Sequence, residues 1–204
     1  MGERVTRRAA ALEMAVLGLL HDAPMHGYEL RKQLIGLLGW GRVLSYGTLY
    51  PALKELVAGG FLDADPAPGS TGRNRIVYAL TAAGKERFRE LVEETGPSSW
   101  DDDNFGVHFA FFARADSQTR VRILEGRRSR LEERLERFRT SLVRSRERRD
   151  AYTLELQRHG LESAEREVRW LTELIDTERA GAAPGSSSTE TTATQAKATT
   201  KETA

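Results

Sequence analysis

The chain has 204 residues, enough for one ordinary domain with an extension or for two small ones, and enough to bury a real core. It has no cysteine, which excludes disulfides, thiolate zinc sites and cysteine nucleophiles, and its formal net charge of +1 points by itself to no class of partner. No run approaches the roughly 18 consecutive apolar residues of a membrane span, and the opening MGERVTRRAA lacks the apolar core of a signal peptide, so the chain is expected to stay in the cytoplasm.

From Ala9 to Leu20 the apolar residues Leu12, Ala15, Val16 and Leu19 share one helical face. Pro24 cannot continue that helix and restrains its predecessor to extended geometry. His26-Gly27-Tyr28-Glu29-Leu30 opens a second helix whose Leu30, Leu34, Leu37 and Leu38 form a stripe before Gly39-Trp40-Gly41 breaks it. Ser45 is placed to cap a third helix, Tyr46 to Ala58, with Leu49, Leu53, Leu56 and Val57 inward and Gly59-Gly60 as its stop. The period then changes. Phe61-Leu62 leads into a Pro- and Gly-rich loop, Asp65 to Gly72, and Arg75 to Leu80 has the β-branched and aromatic content of a strand. Three short helices followed by two strands around a loop make a winged helix. Thr81 caps a fourth helix running to about Glu94, and Gly96-Pro97-Ser98-Ser99 closes the domain.

The remainder is helical and highly charged. Residues 96 to 149 carry 13 Lys/Arg against 9 Asp/Glu, and residues 150 to 180 carry 4 against 8, so two segments of opposite sign invite pairing. After an apolar segment, Phe105 to Ala113, a helix from about Ser117 toward Arg149 carries Leu124, Leu131, Leu135, Phe138 and Leu142 in an a/d-like seam. A last helix, about Ser163 to Arg179, presents Val168, Leu171 and Ile175 on one side, with Trp170 and Leu174 beside them. Both stripes need partners, and these eight residues are the expected dimer seam. From Gly181 onward no large apolar residue remains to offset the entropy of ordering, so a disordered tail is expected over 181–204. The expected fold is mainly α: a winged helix-turn-helix with a two-stranded wing over 1–95, then antiparallel, coiled-coil-like helices that dimerise over 96–180.

A recognition helix packs one face on its neighbour and offers small polar groups to base edges from its first turn. Ser45, Tyr46 and Thr48 supply hydroxyls there, Gly47 lets the backbone approach a phosphate, and the helix N-terminus itself favours an anion. Tyr50 and Lys54 lie further along the same face, and Tyr28 heads the preceding helix. Arg73, Asn74 and Arg75 sit at the wing, where Gly69 and Gly72 let basic side chains follow the duplex.

His26-Gly27-Tyr28-Glu29-Leu30, then Tyr46-Gly47-Thr48-Leu49-Tyr50-Pro51-Ala52-Leu53 with Gly60-Phe61-Leu62, then Tyr78-Ala79-Leu80-Thr81-Ala82-Ala83-Gly84, resemble the PadR family of bacterial regulators. The resemblance covers residues 9 to about 95 and extends over 100 to 180 to the branch with a longer helical C-terminal domain. It implies a homodimeric transcriptional repressor on double-stranded DNA with a pseudo-palindromic operator, often relieved by a small-molecule effector near the dimer interface. Trp40, Trp100 and Trp170 are candidate walls for such an effector, although packing explains them as well. One departure stands out: the wing loop, Ala64 to Asn74, holds a single arginine, so Arg4, Arg7 and Arg8 or the arginines of the long helix are expected to share the phosphate contacts.

Other chemistry is weakly represented. His21, His26, His108 and His159 have no metal-ligand spacing, and Asp101-Asp102-Asp103-Asn104 reads more simply as a helix start than as a cation site. No G-x-x-x-x-G-K-[ST], G-x-G-x-x-G, H-E-x-x-H or G-x-S-x-G occurs. No enzyme activity, cofactor or metal is expected. The runner-up functions are a winged-helix protein-interaction adaptor and an activator without ligand control.

Overall fold

The computed structural model describes residues 2–39, 46–66, 76–145 and 150–181. Its elements in chain order are α1 (Gly2–Asp22), β1 (Met25–His26), α2 (Gly27–Leu38), α3 (Tyr46–Ala58), β2 (Leu62–Pro66), β3 (Ile76–Leu80), α4 (Ala82–Glu93), α5 (Phe105–Ala110), α6 (Ser117–Ser145) and α7 (Ala151–Arg179). Short 3-10 turns at Pro97–Trp100 and Phe112–Arg114 flank α5. The contacts divide the chain into two compact units, Met1–Arg127 and Arg128–Ala204, with the boundary inside α6. Among the described residues no helix is long and apolar enough to cross a membrane.

The first unit is built around α1, whose Ala15, Val16 and Leu17 are completely buried. Leu30 and Leu34 of α2, Leu49 and Leu53 of α3, and Phe88 and Val92 of α4 complete the core. Each such leucine or phenylalanine contributes roughly 1.5–3 kcal/mol relative to exposure. Gly18 brings α1 against the Phe111 ring, where a Cβ would lie 2.4 Å from the nearest ring carbon.

Helices α2, α3 and α4 follow the apolar periodicity closely, and α3 spans Tyr46–Ala58 as its stripe predicts. Gly39 and Gly60 adopt left-handed conformations (φ 66° and 75°), which glycine alone supplies without a Cβ penalty; the first closes α2 and the second follows α3. Thr81 caps α4: its Oγ1 accepts from the Gly84 N–H at 3.0 Å and lies 2.7 Å from the Gly60 carbonyl oxygen, to which it donates.

Three boundaries differ from expectation. The sheet has three strands in the order β1-β3-β2, not two, because Met25 and His26 pair antiparallel with Tyr78 and Val77. The second helix therefore starts at Gly27, and a two-residue bridge is too short to show any alternation. Helix α1 starts at Gly2 rather than Ala9, since arginine, glutamate and alanine favour a helix without supplying a stripe. Helix α7 starts at Ala151, not Ser163: the Asp150 carboxylate accepts from the N–H groups of Tyr152 and Thr153, both at 3.0 Å. Its first turns carry Tyr152 at 88% and Leu156 at 71% exposure, so no buried stripe marks them.

In the second unit Leu131 and Leu135 of α6 and Leu171 and Ile175 of α7 are buried. Arg139 of α6 donates to Glu165 of α7 at 2.9 Å and to Glu136 at 2.6 Å. The opposite charge of the two segments is thus expressed inside one chain. The expected tail lies outside the described residues except for Gly181.

Candidate nucleic-acid interface

Helix α3 is two-sided. Leu49 and Leu53 are fully buried and Leu56 nearly so, while Gly47, Thr48, Tyr50 and Lys54 are exposed. Pro51, also exposed, carries no N–H and so leaves the carbonyl of Gly47 without its usual intrahelical donor. Tyr46 opens the helix, its side chain lying outside the described part of the structure, as do Ser45, Arg73, Asn74 and Arg75 altogether.

Tyr28, at 66% exposure, stands on the first turn of α2 beside Gly27. Gly27 is the meeting point of three elements. A Cβ there would lie 3.2 Å from Cε1 and 3.3 Å from the hydroxyl of Tyr50, and 3.4 Å from Cε2 of Tyr78. Contacts that close leave room for glycine and little more. Burial pushes the Tyr78 hydroxyl pKa up, and the neighbouring Tyr50 pushes it further. His26, which precedes the helix, makes no side-chain cap; its Nδ1 lies 3.4 Å from the Ile76 carbonyl oxygen across the sheet. The structure thus brings α2's start, Tyr50 and Tyr78 together. Gly27 and Tyr78 were not singled out by residue type; their only sequence signal is their place in the first and third motifs.

The seam residues take two kinds of place. Leu124, Leu131, Leu135, Leu171 and Ile175 are already buried within one chain, so they leave almost no surface for a second copy. Val168 is half-buried, Phe138 is 37% exposed beneath the Arg134 guanidinium, and Leu142 lies on α6 with its side chain outside the described part.

The tryptophans fall on separate segments of the chain. Trp40 lies outside the described residues. Trp100 packs over Gly126 in the first unit, where a Cβ would come within 2.4 Å of its ring, and Trp170 is 38% exposed on α7. A cavity of about 620 Å³ in the second unit is lined by α6 residues that include Ser129, Leu135, Glu136 and Arg139 and, among the described residues, by no tryptophan. The acidic run serves the chain itself: Asp101 Oδ1 accepts from the N–H groups of Asp103 and Asn104 at 3.1 and 2.9 Å, and Asp102 pairs with the nearly buried Arg127. Arg127 also lies 5.2 Å over the Phe105 ring, a cluster that sequence periodicity does not reveal.

Residues 16–90 match the Transcriptional regulator PadR-like family. A curated relative, the negative transcriptional regulator PadR of Bacillus subtilis (strain 168), is 28% identical over 81 residues, or 40% of this chain; the match spans 44% of that relative's length. Among solved structures, Bacillus subtilis PadR in complex with operator DNA is 20% identical, with 82% of this chain and 98% of that one covered and a TM-score of 0.40. Bacillus subtilis PadR in complex with p-coumaric acid is 20% identical, with 83% and 99% covered and a TM-score of 0.37. A PadR-like transcriptional regulator from Bacillus cereus is 19% identical, with 83% and 99% covered and a TM-score of 0.37. With its helices, its three-stranded sheet and its three motifs in order, this chain carries over residues 16–90 a domain of the PadR-like family of transcriptional regulators.

Proposed function

We infer that the protein is a cytoplasmic, sequence-specific DNA-binding regulator in which α3 enters the major groove and the wing follows the backbone. The observation that carries this is the division of α3. Its leucines are spent on the core, while Thr48, Tyr50 and Lys54 are exposed, as is Tyr28 on the first turn of α2. Small hydroxyls and one cation suit base edges and phosphates. An adaptor helix docking a protein partner would instead need an apolar outer face.

Repression by a homodimer, relieved by a small-molecule effector, completes the proposal on the strength of the family resemblance. In this reading residues 1–95 bind the operator and 96–180 pair two copies. Since most of the leucine seam is covered within one chain, pairing falls to the apolar surface left open, Phe138 and Val168 among the seam residues and Trp170 beside them. No chemical step is assigned to the chain.

The test compares binding to the preferred duplex and to a scrambled one across a salt series. Thr48→Ala is expected to cost about 1–3 kcal/mol on the preferred duplex alone. Arg73→Ala and Arg75→Ala are expected to weaken both duplexes and flatten the salt dependence, because each neutralised phosphate releases counterions. Equal losses on both duplexes for Thr48→Ala, with an unchanged salt slope for the arginine variants, would contradict the assignment.

A further inference from the structure

Ionised side chains are rarely buried, because leaving water costs more than a single partner returns. Arg127 of α6 is only 8% exposed all the same. Its Nη1 donates to Asp102 Oδ1 and to the Trp100 carbonyl oxygen, the latter at 3.4 Å, and its guanidinium stands 5.2 Å over the Phe105 ring. One residue earlier, Gly126 lets the Trp100 ring rest on the α6 backbone, where any Cβ would collide with it. Methionine in place of Arg127 would cover the same ground without a charge, and exchanges of that kind often leave a fold as stable or more so. What methionine lacks is direction. Apolar contact lets a helix slide and turn, whereas hydrogen bonds to a carboxylate and a carbonyl, with a ring beneath, fix its axis and rotation.

The segment that receives Arg127 is itself tied down. The hydroxyl of the fully buried Ser99 donates to the Glu94 carbonyl at the end of α4 at 2.7 Å, and the Asn104 amide donates to the Ser98 carbonyl at 3.1 Å. Helix α4 in turn shares its core with Leu49 and Leu53 of α3. A chain of short contacts thus links Arg127 to the body that holds α3. All of these residues belong to the first unit, and Arg127 is its last residue. From there α6 runs on to Ser145, roughly 27 Å at about 1.5 Å per residue. A tilt of about 5° at the root of a rod that long moves its far end by roughly 2 Å, and two such arms together by more than the ~3.4 Å rise of one base pair.

We propose that Arg127, locked by Trp100, Asp102 and Phe105, is a positioning residue for DNA binding: it fixes the root of α6 on the DNA-reading unit and so sets the half-site spacing that the dimer accepts. This rests on the reading of the protein as a dimeric DNA-binding regulator, and adds to it the residue that makes the spacing narrow. Arg127 needs no contact with the duplex. It acts through the direction of α6.

Full-length Arg127→Met and Asp102→Asn are compared with the parent on the inverted repeat recovered by selection from a randomised duplex library, on the same repeat with one base pair added or removed between its half-sites, and on a single half-site. Thermal unfolding is measured alongside. The parent is expected to lose about tenfold in affinity at either altered spacing, because both half-sites can no longer be engaged at once without strain. Arg127→Met is expected to bind the three spacings within about threefold of one another. It should match the parent on the single half-site and unfold near the parent's temperature. Asp102→Asn, at a side chain 57% exposed and so no threat to folding, should relax the spacing in the same direction by a smaller factor. Parent-like spacing preference in Arg127→Met, or a loss on the single half-site as large as on the repeat, overturns the positioning role and leaves the DNA-binding reading intact. Should Arg127→Met fail to fold, Asp102→Asn decides alone, with parent-like spacing overturning the role. A parent that accepts the three spacings equally overturns it too, and one that binds no inverted repeat overturns the dimeric reading with it.

Discussion

Glycine and histidine positions show most plainly what single side chains decide. At Gly84 a Cβ would lie 2.1 Å from the carbonyl oxygen of Phe61, a backbone atom that cannot swing away. Gly84→Ala is therefore expected to lower stability by roughly 1–3 kcal/mol, the usual cost of overpacking. Gly160 on α7 is exposed with nothing within 4 Å, so Gly160→Ala is expected to raise stability by about 0.5–1 kcal/mol through helix propensity. Urea midpoints moving in opposite directions would support the pair, and equal midpoints would contradict it. Neither role is visible in the sequence, because both positions are simply glycine in a helical run and only the approaching neighbour separates them.

His108 of α5 is buried, and burial holds its pKa below the ordinary 6.5 against the opposing pull of Glu94 and Asp101. The folded state then binds fewer protons than the unfolded one, so His108 costs nothing above about pH 6.5 and destabilises progressively as pH falls through that value toward its lowered pKa. Replacing it by glutamine removes this titration. The unfolding temperature of His108→Gln should fall less than the parent's between about pH 7.5 and 5; parallel curves would show that other groups carry the acid sensitivity.

Among the elements, the ones with a continuous buried stripe were legible and the ones held by a few contacts were not. The bounds of α3 and α4 follow from leucine and phenylalanine spacing and from the Thr81 start signal. Strand β1 exists only because β3 pairs with it, and the first turns of α7 exist because Asp150 caps them while their apolar side chains remain outside. Thr81 ties three of the legible elements together, since one hydroxyl serves the end of α3, the start of β2 and the first turn of α4. Thr81→Ala is expected to cost about 1 kcal/mol, and Thr81→Ser to recover most of it, because only the hydroxyl does the capping. Chemical denaturation of the two variants measures the difference; equal losses would place the effect in the lost methyl.

At the scale of the whole molecule, the candidate site was legible wherever it depended on the polarity of an exposed face and illegible where it depended on convergence. Thr48, Tyr50 and Lys54 could be named because α3 has an unambiguous inner side. The approach of Tyr50 and Tyr78 to Gly27 could not, since a strand tyrosine ordinarily reads as core and the three meet only in the folded chain. The leucine seam illustrates the converse: periodicity identifies residues that become buried without saying which chain covers them. Phe138→Glu with Trp170→Glu is expected to convert the proposed dimer to monomer with little change in helix content. Both side chains are more than a third exposed in the single chain. Sedimentation of a dimeric, fully helical double variant would place the pairing surface elsewhere.

The central claim is that α3 reads sequence and does so twice, once from each copy. Repeated selection of the full-length chain on a fully randomised duplex library tests this most directly, because it presupposes neither operator nor effector. The account predicts an inverted repeat whose half-site centres lie about one helical turn, 10 base pairs, or a multiple of it apart. It also predicts that Thr48→Ala relaxes preference within the half-sites and leaves their spacing unchanged. Recovery of duplexes with no shared sequence, or of a single unrepeated site, would contradict it.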